Sequence, residues 1–192
     1  MINKYLALMV SAVAIFATSA NAGHHGHKSA VVPTITQEAV LTGLENPWDV
    51  AFLDDGTMFF TEKCKGFSVR MPNGDVHALY GMKDSSGYAD MGSDLHCSNQ
   101  AGMLGLAVDP DFANNHRIYV ASASTKYHGN GCKTNFERCD GNIVMRFEVS
   151  KDMKSVSGRT DIVQDIQFKP FESNHPFGGN GAHNGNRPTF GP

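Results

Sequence analysis

The chain has 192 residues, which is enough for one domain with a sizeable core but short for a large closed architecture. Charged residues make up 18% and hydrophobic residues 41% of it, close to the globular norm, which argues against a wholly disordered chain. The net charge is -3 and Lys and Arg form no run, so we expect no concentrated basic face for nucleic acid.

Residues 1–22 have the pattern of a secretory signal peptide. A lysine supplies the positive charge, residues 6–16 are apolar apart from one serine, and Ala20 and Ala22 form the small-x-small cleavage pattern. A transmembrane anchor is the alternative, but the apolar run is shorter than the roughly 20 residues that span a bilayer. We therefore expect a mature chain that begins at Gly23, has no membrane span, and is periplasmic or secreted.

Residues 23–36 form a linker that contains histidines and glycines. Cleavage after Ala22 would place His25 at the third position of a free amino terminus. The α-amine of Gly23, the next two backbone amides and the His25 ring would then offer four nitrogens in the planar arrangement that Cu(II) and Ni(II) favour. The sequence predicts a metal site here, and a flexible polar linker is the alternative.

Short β-like segments follow one another from residue 37 onward. In the first half we predict strands at residues 38–42, 48–53, 57–62, 67–71 and 76–80. The turns between them include an Asp-Asp-Gly ending at Gly56 and an Asn-Gly ending at Gly74, because glycine suits the positive φ of tight turns. No segment keeps helical periodicity over several turns, so an antiparallel meander is expected.

A related pattern follows in the second half of the chain. We predict strands at residues 104–110, 117–123, 142–149 and 160–166, with a further copy beginning at residues 188–192. The repeats are spaced by about 55 and about 85 residues, which is compatible with propeller blades that carry inserted loops. A β-sandwich is the alternative, because periodicity alone does not separate the two architectures.

The four cysteines are even in number, and export would permit disulfides. Cys132 and Cys139 flank a short polar loop and are expected to form a local pair, which leaves Cys64 with Cys97; the other pairings remain open. Zinc is the alternative, but the chain has no Cys-x-x-Cys pair. The absence of Cys-x-x-Cys-His also argues against c-type haem attachment.

Three stretches carry a family resemblance when they are taken together. They are LENPWDVAFLDDG at 44–56 with FTE at 60–62, NQAGMLGLA at 99–107 with DPDF at 109–112, and HNGNRPTFGP at 183–192. In this order and spacing they resemble the glucose/sorbosone dehydrogenase family, the soluble aldose sugar dehydrogenases that depend on pyrroloquinoline quinone (PQQ).

The resemblance implies that residues 37–192 are the N-terminal part, about two blades, of a six-bladed β-propeller with PQQ over its central channel. It implies an oxidoreductase that oxidises the anomeric hydroxyl of an aldose, transfers hydride to the quinone and passes electrons to an external acceptor. His183 would be the catalytic base, since its ring accepts a proton near neutrality, and Gln100 would lie beside the cofactor and bind the sugar. The residues that hold PQQ carboxylates, and the calcium site, are expected beyond Pro192.

Part of the family pattern is missing from this chain. Asn186 replaces a glycine, Pro188 replaces an apolar residue, and Ala182 stands where some members have aspartate. With about two blades present, unpaired sheet edges are expected and the chain alone should be inactive. A noncatalytic, propeller-type interaction module is the alternative function.

Overall fold

The computed structural model describes residues 33–126, 141–167 and 184–191. The chain divides into two units, Met1–Ala39 and Val40–Pro192. In the first unit, residues 33–39 are irregular and exposed. The predicted signal peptide and most of the linker, including Gly23 and His25, lie outside the described residues. Among those described, no helix has the length and apolar character needed to cross a membrane.

The first half of the second unit forms a five-stranded sheet. Its strands are β1 (Pro47–Phe52), β2 (Met58–Glu62), β3 (Gly66–Arg70), β4 (Val76–Met82) and β5 (Asp90–Gly92), paired in chain order. The first four are antiparallel, which confirms the predicted meander, and Gly56 and Gly74 take positive φ at two of its turns. The short β5 was not predicted, and it pairs in parallel with β4.

The second half forms a four-stranded antiparallel sheet. Its strands are β6 (Met103–Val108), β7 (Arg117–Ser124), β8 (Gly141–Val149) and β9 (Val156–Gln167). A one-turn helix, α1 (Phe112–Asn115), lies in the connection between β6 and β7 and ends at His116, which has left-handed φ. The four strands predicted for this half are confirmed, with bounds that differ by a few residues.

Two predicted strands are wrong. Residues 38–42 are irregular and almost wholly exposed, and they pair with no strand of the described sheets. Water satisfies the backbone groups that a neighbouring strand would otherwise bond. Residues 188–191 are also irregular. Pro188 lacks the N–H that a ladder requires, which opposes a strand beginning there.

The two sheets bury a common apolar core. Phe67 of β3 and Tyr80 of β4 pack on Phe147 of β8, with ring centroids 5.4 and 4.7 Å apart. Phe59 of β2 meets the edge of Phe112 in α1 at 5.7 Å. Because alternate residues of a strand point to opposite faces, these contacts identify the facing sides of the two sheets. The all-β fold class is therefore confirmed.

A disulfide joins Cys64, in the turn between β2 and β3, to Cys97, in the loop before β6. Their Cα atoms are 5.2 Å apart, and they lie 33 positions apart in the chain. This is the pairing expected for these two cysteines, and it holds the first sheet against the start of the second. Cys132 and Cys139 lie outside the described residues.

Candidate functional site

Gln100 lies in a tight turn that leads directly into β6. Ser98 and Ala101 exchange two backbone hydrogen bonds of 3.1 and 2.8 Å, and Asn99 takes a φ of 55°. The side chain of Gln100 is exposed. The turn is braced from the first sheet, because Lys63 donates its ammonium group to the carbonyl oxygen of Asn99. Gln100 therefore lies at the surface, on a turn that these hydrogen bonds stabilise.

The start of β6 is fixed by the same lysine. Met103 donates its backbone N–H to the carbonyl oxygen of Lys63 at 2.8 Å. A Cβ at Gly102 would lie 2.4 Å from that oxygen, so only glycine permits this approach. The turn that carries Gln100 is thereby aligned with the first sheet.

Residues 184–191, here called the anchored segment, pack along the second sheet. Asn142 of β8 donates from Nδ2 to Oδ1 of Asn184 at 3.3 Å, and both residues are buried. At the other end, the ring of Phe190 meets Tyr119 of β7 edge to face, with centroids 5.2 Å apart. The anchored segment is thus held at both ends by side chains of the sheet.

Tyr119 is itself held by an acidic partner. Its hydroxyl donates to Oδ2 of Asp109 at 2.9 Å. Burial and this carboxylate raise the pKa of Tyr119, so the ring that supports Phe190 stays neutral. Burial favours the neutral form of Asp109, but hydrogen bonds from Asn115, Asp111 and Tyr119 outweigh it and lower the pKa of Asp109.

Strand register brings the Gln100 turn and the anchored segment to one end of the second sheet. Ala123 of β7 donates its N–H to the carbonyl oxygen of Gly102 at 3.0 Å, and Ala123 is paired with Asn142 of β8. Asn142 in turn contacts Asn184. His183 lies outside the described residues and directly precedes Asn184 in the chain.

Asp49 of β1 is a polar residue that sequence reasoning missed. Its side chain is 7% exposed, and its Oδ2 accepts the backbone N–H of Leu106 at 3.1 Å. Its Oδ1 lies 3.5 Å from Nε of Arg187. One carboxylate therefore connects β1, β6 and the anchored segment. The available sign was an aspartate within an otherwise apolar predicted strand, at residues 48–53.

Among the described residues, Asn142 Oδ1 and Asn184 Nδ2 lack a hydrogen-bond partner, but both atoms are buried and out of a ligand's reach. The exposed amide of Gln100 at the same end of the sheet can reach a hydroxyl-rich ligand. Amides both donate and accept, as sugar hydroxyls require. Lys63 places a cation beside Gln100, and its ammonium group bonds the carbonyl oxygen of Asn99. Gln100 thus fits one contact of a sugar site.

The family resemblance also implies a calcium ion. In the part of the chain that the structure describes, no group of three or more His, Cys, Asp or Glu could hold a metal ion. Calcium needs six to eight oxygen ligands, most of them carboxylates and carbonyls. The described residues therefore do not fit a calcium site.

Comparison with known proteins gives a family and partial relatives. The family model Glucose / Sorbosone dehydrogenase matches residues 44–190. An uncharacterized protein of Synechocystis sp., slr1608, is 34% identical over 88 residues, which cover 45% of this chain and 21% of that protein. The HIPL1 protein of Arabidopsis thaliana is 29% identical over 93 residues, covering 48% of this chain and 13% of its own length.

Solved structures show the same fold. The PQQ-bound aldose sugar dehydrogenase of Streptomyces coelicolor has a TM-score of 0.52 at 19% identity, covering 69% of this chain and 34% of that one. A glucose dehydrogenase has a TM-score of 0.50 at 23% identity, covering 69% and 33%. The chain thus spans about a third of the length of these structures, and the likeness at such identities is one of fold.

Proposed function

Since this chain belongs to the glucose/sorbosone dehydrogenase family, we propose that it is the N-terminal part of an exported, PQQ-dependent dehydrogenase that oxidises the anomeric hydroxyl of an aldose. One observation carries this proposal. The turn that bears Gln100 and the residue that follows His183 lie at the same end of the second sheet, although 84 positions separate Gln100 and Asn184 in the chain.

The proposed roles follow from the chemistry of the two side chains. The exposed amide of Gln100 donates and accepts hydrogen bonds, so it orients the sugar hydroxyls. An imidazole nitrogen of His183 takes the proton of the anomeric hydroxyl, because an ordinary histidine is largely neutral near pH 7. PQQ, when bound, supplies the hydride acceptor that no protein side chain provides, and an external acceptor then takes the electrons.

The architecture belongs to the same proposal. We infer that the two sheets are two blades of a six-bladed propeller, since each contains four antiparallel strands in chain order. The added β5 is a departure from a simple four-stranded blade. The calcium site and further cations for the PQQ carboxylates would lie beyond Pro192. Residues 1–192 alone should therefore reduce no dye when sugar, PQQ and calcium are added.

Substitutions in the full-length, PQQ-loaded protein test the proposal. His183→Ala should lower kcat for aldose oxidation by about 10²-fold or more, as loss of a general base does. Gln100→Ala should lower kcat/KM by about tenfold, the loss expected for one hydrogen bond to substrate. His77→Ala, on β4 of the other sheet, is the matched control and should behave like the parent.

Two outcomes would oppose the proposal at different levels. Undiminished aldose oxidation by His183→Ala would remove the assignment of the base. PQQ binding is measured by the visible spectrum of the quinone. If the full-length protein does not bind PQQ, the noncatalytic interaction module is favoured instead.

A further inference from the structure

The turn between β2 and β3 contacts the Gln100 turn before it, within it and after it. The disulfide of Cys64 holds the residue directly before the Gln100 turn. The ammonium group of Lys63 bonds the carbonyl oxygen of Asn99, inside it. Met103, just after it, donates its N–H to the carbonyl oxygen of Lys63 at 2.8 Å. Two neighbouring residues, Lys63 and Cys64, therefore make all three contacts.

Lys63 is itself held firmly along its length. Its backbone N–H donates to the carbonyl oxygen of Asn46 at 3.0 Å, and its own carbonyl oxygen accepts the bond from Met103. Its aliphatic stem lies against Gly102, where an added Cβ would be 2.6 Å from Cγ of Lys63. A side chain that is packed in this way loses less rotamer freedom when its tip forms a bond. The packing of the stem thus directs the ammonium group of Lys63 toward the Gln100 turn.

The bond from Lys63 restrains the peptide plane that carries Gln100. The carbonyl group of Asn99 and the Cα of Gln100 belong to one planar peptide unit, so a bond to that oxygen limits rotation of the whole plane. The donor is charged, and charge-assisted hydrogen bonds are about twice as strong as neutral ones. Asn99 also takes a φ of 55°, a left-handed conformation that costs free energy in any residue but glycine. Lys63 therefore stabilises the backbone from which the side chain of Gln100 projects.

We propose that Lys63 is a positioning residue for sugar binding, because it orients Gln100 by holding the carbonyl oxygen of Asn99. In this role Lys63 acts through Gln100 and contacts neither sugar nor cofactor. An amide that is already oriented loses less freedom when it binds a hydroxyl, so the benefit falls on substrate binding. The part of this inference that concerns the reaction rests on the proposed function of Gln100. The structural part, that Lys63 restrains the turn, does not.

Amide hydrogen exchange in the full-length protein tests the structural part. Lys63→Met removes the ammonium group and keeps the aliphatic stem that lies against Gly102. Exchange in residues 98–101, read by mass spectrometry, should become about fivefold faster for the loss of one hydrogen bond. Lys65→Met is the matched control, because Lys65 lies in the same turn but its ammonium group pairs with Glu45 at 2.9 Å. It should leave exchange in residues 98–101 at the parent rate.

Steady-state kinetics of the full-length, PQQ-loaded protein test the action through Gln100. Lys63→Met should raise the KM for the sugar and lower kcat/KM by about threefold to fivefold, with little change in kcat. In a protein that already carries Gln100→Ala, Lys63→Met should cost nothing further, because two residues that act through one contact are not additive. Lys63→Arg keeps a cationic donor, so its kcat/KM should stay close to that of the parent. Lys65→Met should also leave kcat/KM unchanged.

The two measurements separate failure of this inference from failure of the proposed function. Parent-like exchange in residues 98–101 of Lys63→Met would overturn the positioning role. Faster exchange with losses in kcat/KM that add in the double variant would also overturn it, because Lys63 would then act by a route that does not involve Gln100. Faster exchange together with a fully active Gln100→Ala would instead remove the proposed role of Gln100, and with it any effect of Lys63 on sugar binding, while the structural restraint would stand.

Discussion

Arg159 of β9 forms a two-point ion pair with Asp94, which lies in the loop before β6. Its two terminal nitrogens donate to the two carboxylate oxygens of Asp94, each at 2.7 Å. The same guanidinium contacts Asp161 at 2.9 Å and the hydroxyl of Tyr80 at 3.2 Å. Because Tyr80 belongs to β4, this cluster, here called the Arg159 cluster, links the two sheets by hydrogen bonds in addition to their apolar core.

The charges of the Arg159 cluster are mutually stabilised. Burial opposes ionisation of Arg159, but hydrogen bonds to Asp94, Asp161 and Tyr80 outweigh it and raise the pKa of Arg159 above its ordinary value. Burial likewise favours neutral Asp94, yet the bonds from Arg159 and Ser124 lower the pKa of Asp94. Both partners therefore remain ionised at neutral pH.

Removing the arginine should destabilise the fold strongly. Arg159→Met removes the cation shared by the partly buried carboxylate of Asp94 and the buried carboxylate of Asp161, which keeps its ion pair with Lys126. This should reduce the free energy of unfolding by about 3 kcal/mol. Arg117→Met is the control, because the pair of Arg117 with Glu148 is exposed and worth less than about 1 kcal/mol. Urea unfolding measures the free energy of unfolding of both variants. Equal losses would contradict the prediction that the Arg159 cluster stabilises the fold more than the exposed pair does.

Acid should weaken the fold through Asp94. Its folded pKa is lowered from 3.8, so its ion pair contributes fully above that value and is lost as the pH falls through the folded pKa. The free energy of unfolding should therefore fall below about pH 4, and it should fall less steeply in Asp94→Asn. Denaturant unfolding between pH 2 and 7 would measure this. If the free energy of unfolding falls equally with pH in the parent and in Asp94→Asn, Asp94 makes no such contribution.

The disulfide between Cys64 and Cys97 should contribute to stability by restricting the unfolded chain. Closing a loop over a separation of 33 residues predicts a loss of about 3 to 4 kcal/mol in the double variant Cys64→Ser/Cys97→Ser. Chemical denaturation measures this loss under non-reducing conditions. Addition of a reductant is the control. It should destabilise the parent more than the double variant, because the variant lacks this disulfide. A parent protein indifferent to reductant would oppose the prediction.

The predicted amino-terminal metal site is independent of the family. If export cleaves after Ala22, copper should titrate to one tight equivalent on Gly23 and His25, and binding should weaken in acid as the amides regain protons. Acetylation of the amine or His25→Ala should abolish it. His24→Ala should retain it, because the His24 ring is not one of the four nitrogens. Mass spectrometry of the mature terminus comes first, and equal binding after acetylation would refute the site.

Much of the fold follows from local sequence. Alternating apolar residues, Asp-Asp-Gly at Gly56 and Asn-Gly at Gly74 predict the strands and turns of the first sheet, and both glycines take positive φ. Such signals are local because side-chain alternation and turn sterics involve only neighbouring residues. Where a strand depends on a partner, local signals fail: residues 38–42 have β character but no neighbouring strand, and β5 was missed at three residues long.

The family resemblance pointed to Gln100 and His183, and the sequence alone determined their order along the chain and the chemical types of the two side chains. Only the tertiary structure decided that the Gln100 turn and Asn184 lie at one end of a sheet, and that Asp49 connects β1 to β6 and to the anchored segment. The bond from Leu106, on the outer strand of the second sheet, to Asp49 spans 57 residues. Register and close backbone approach depend on how distant strands pack, so no local pattern can specify them.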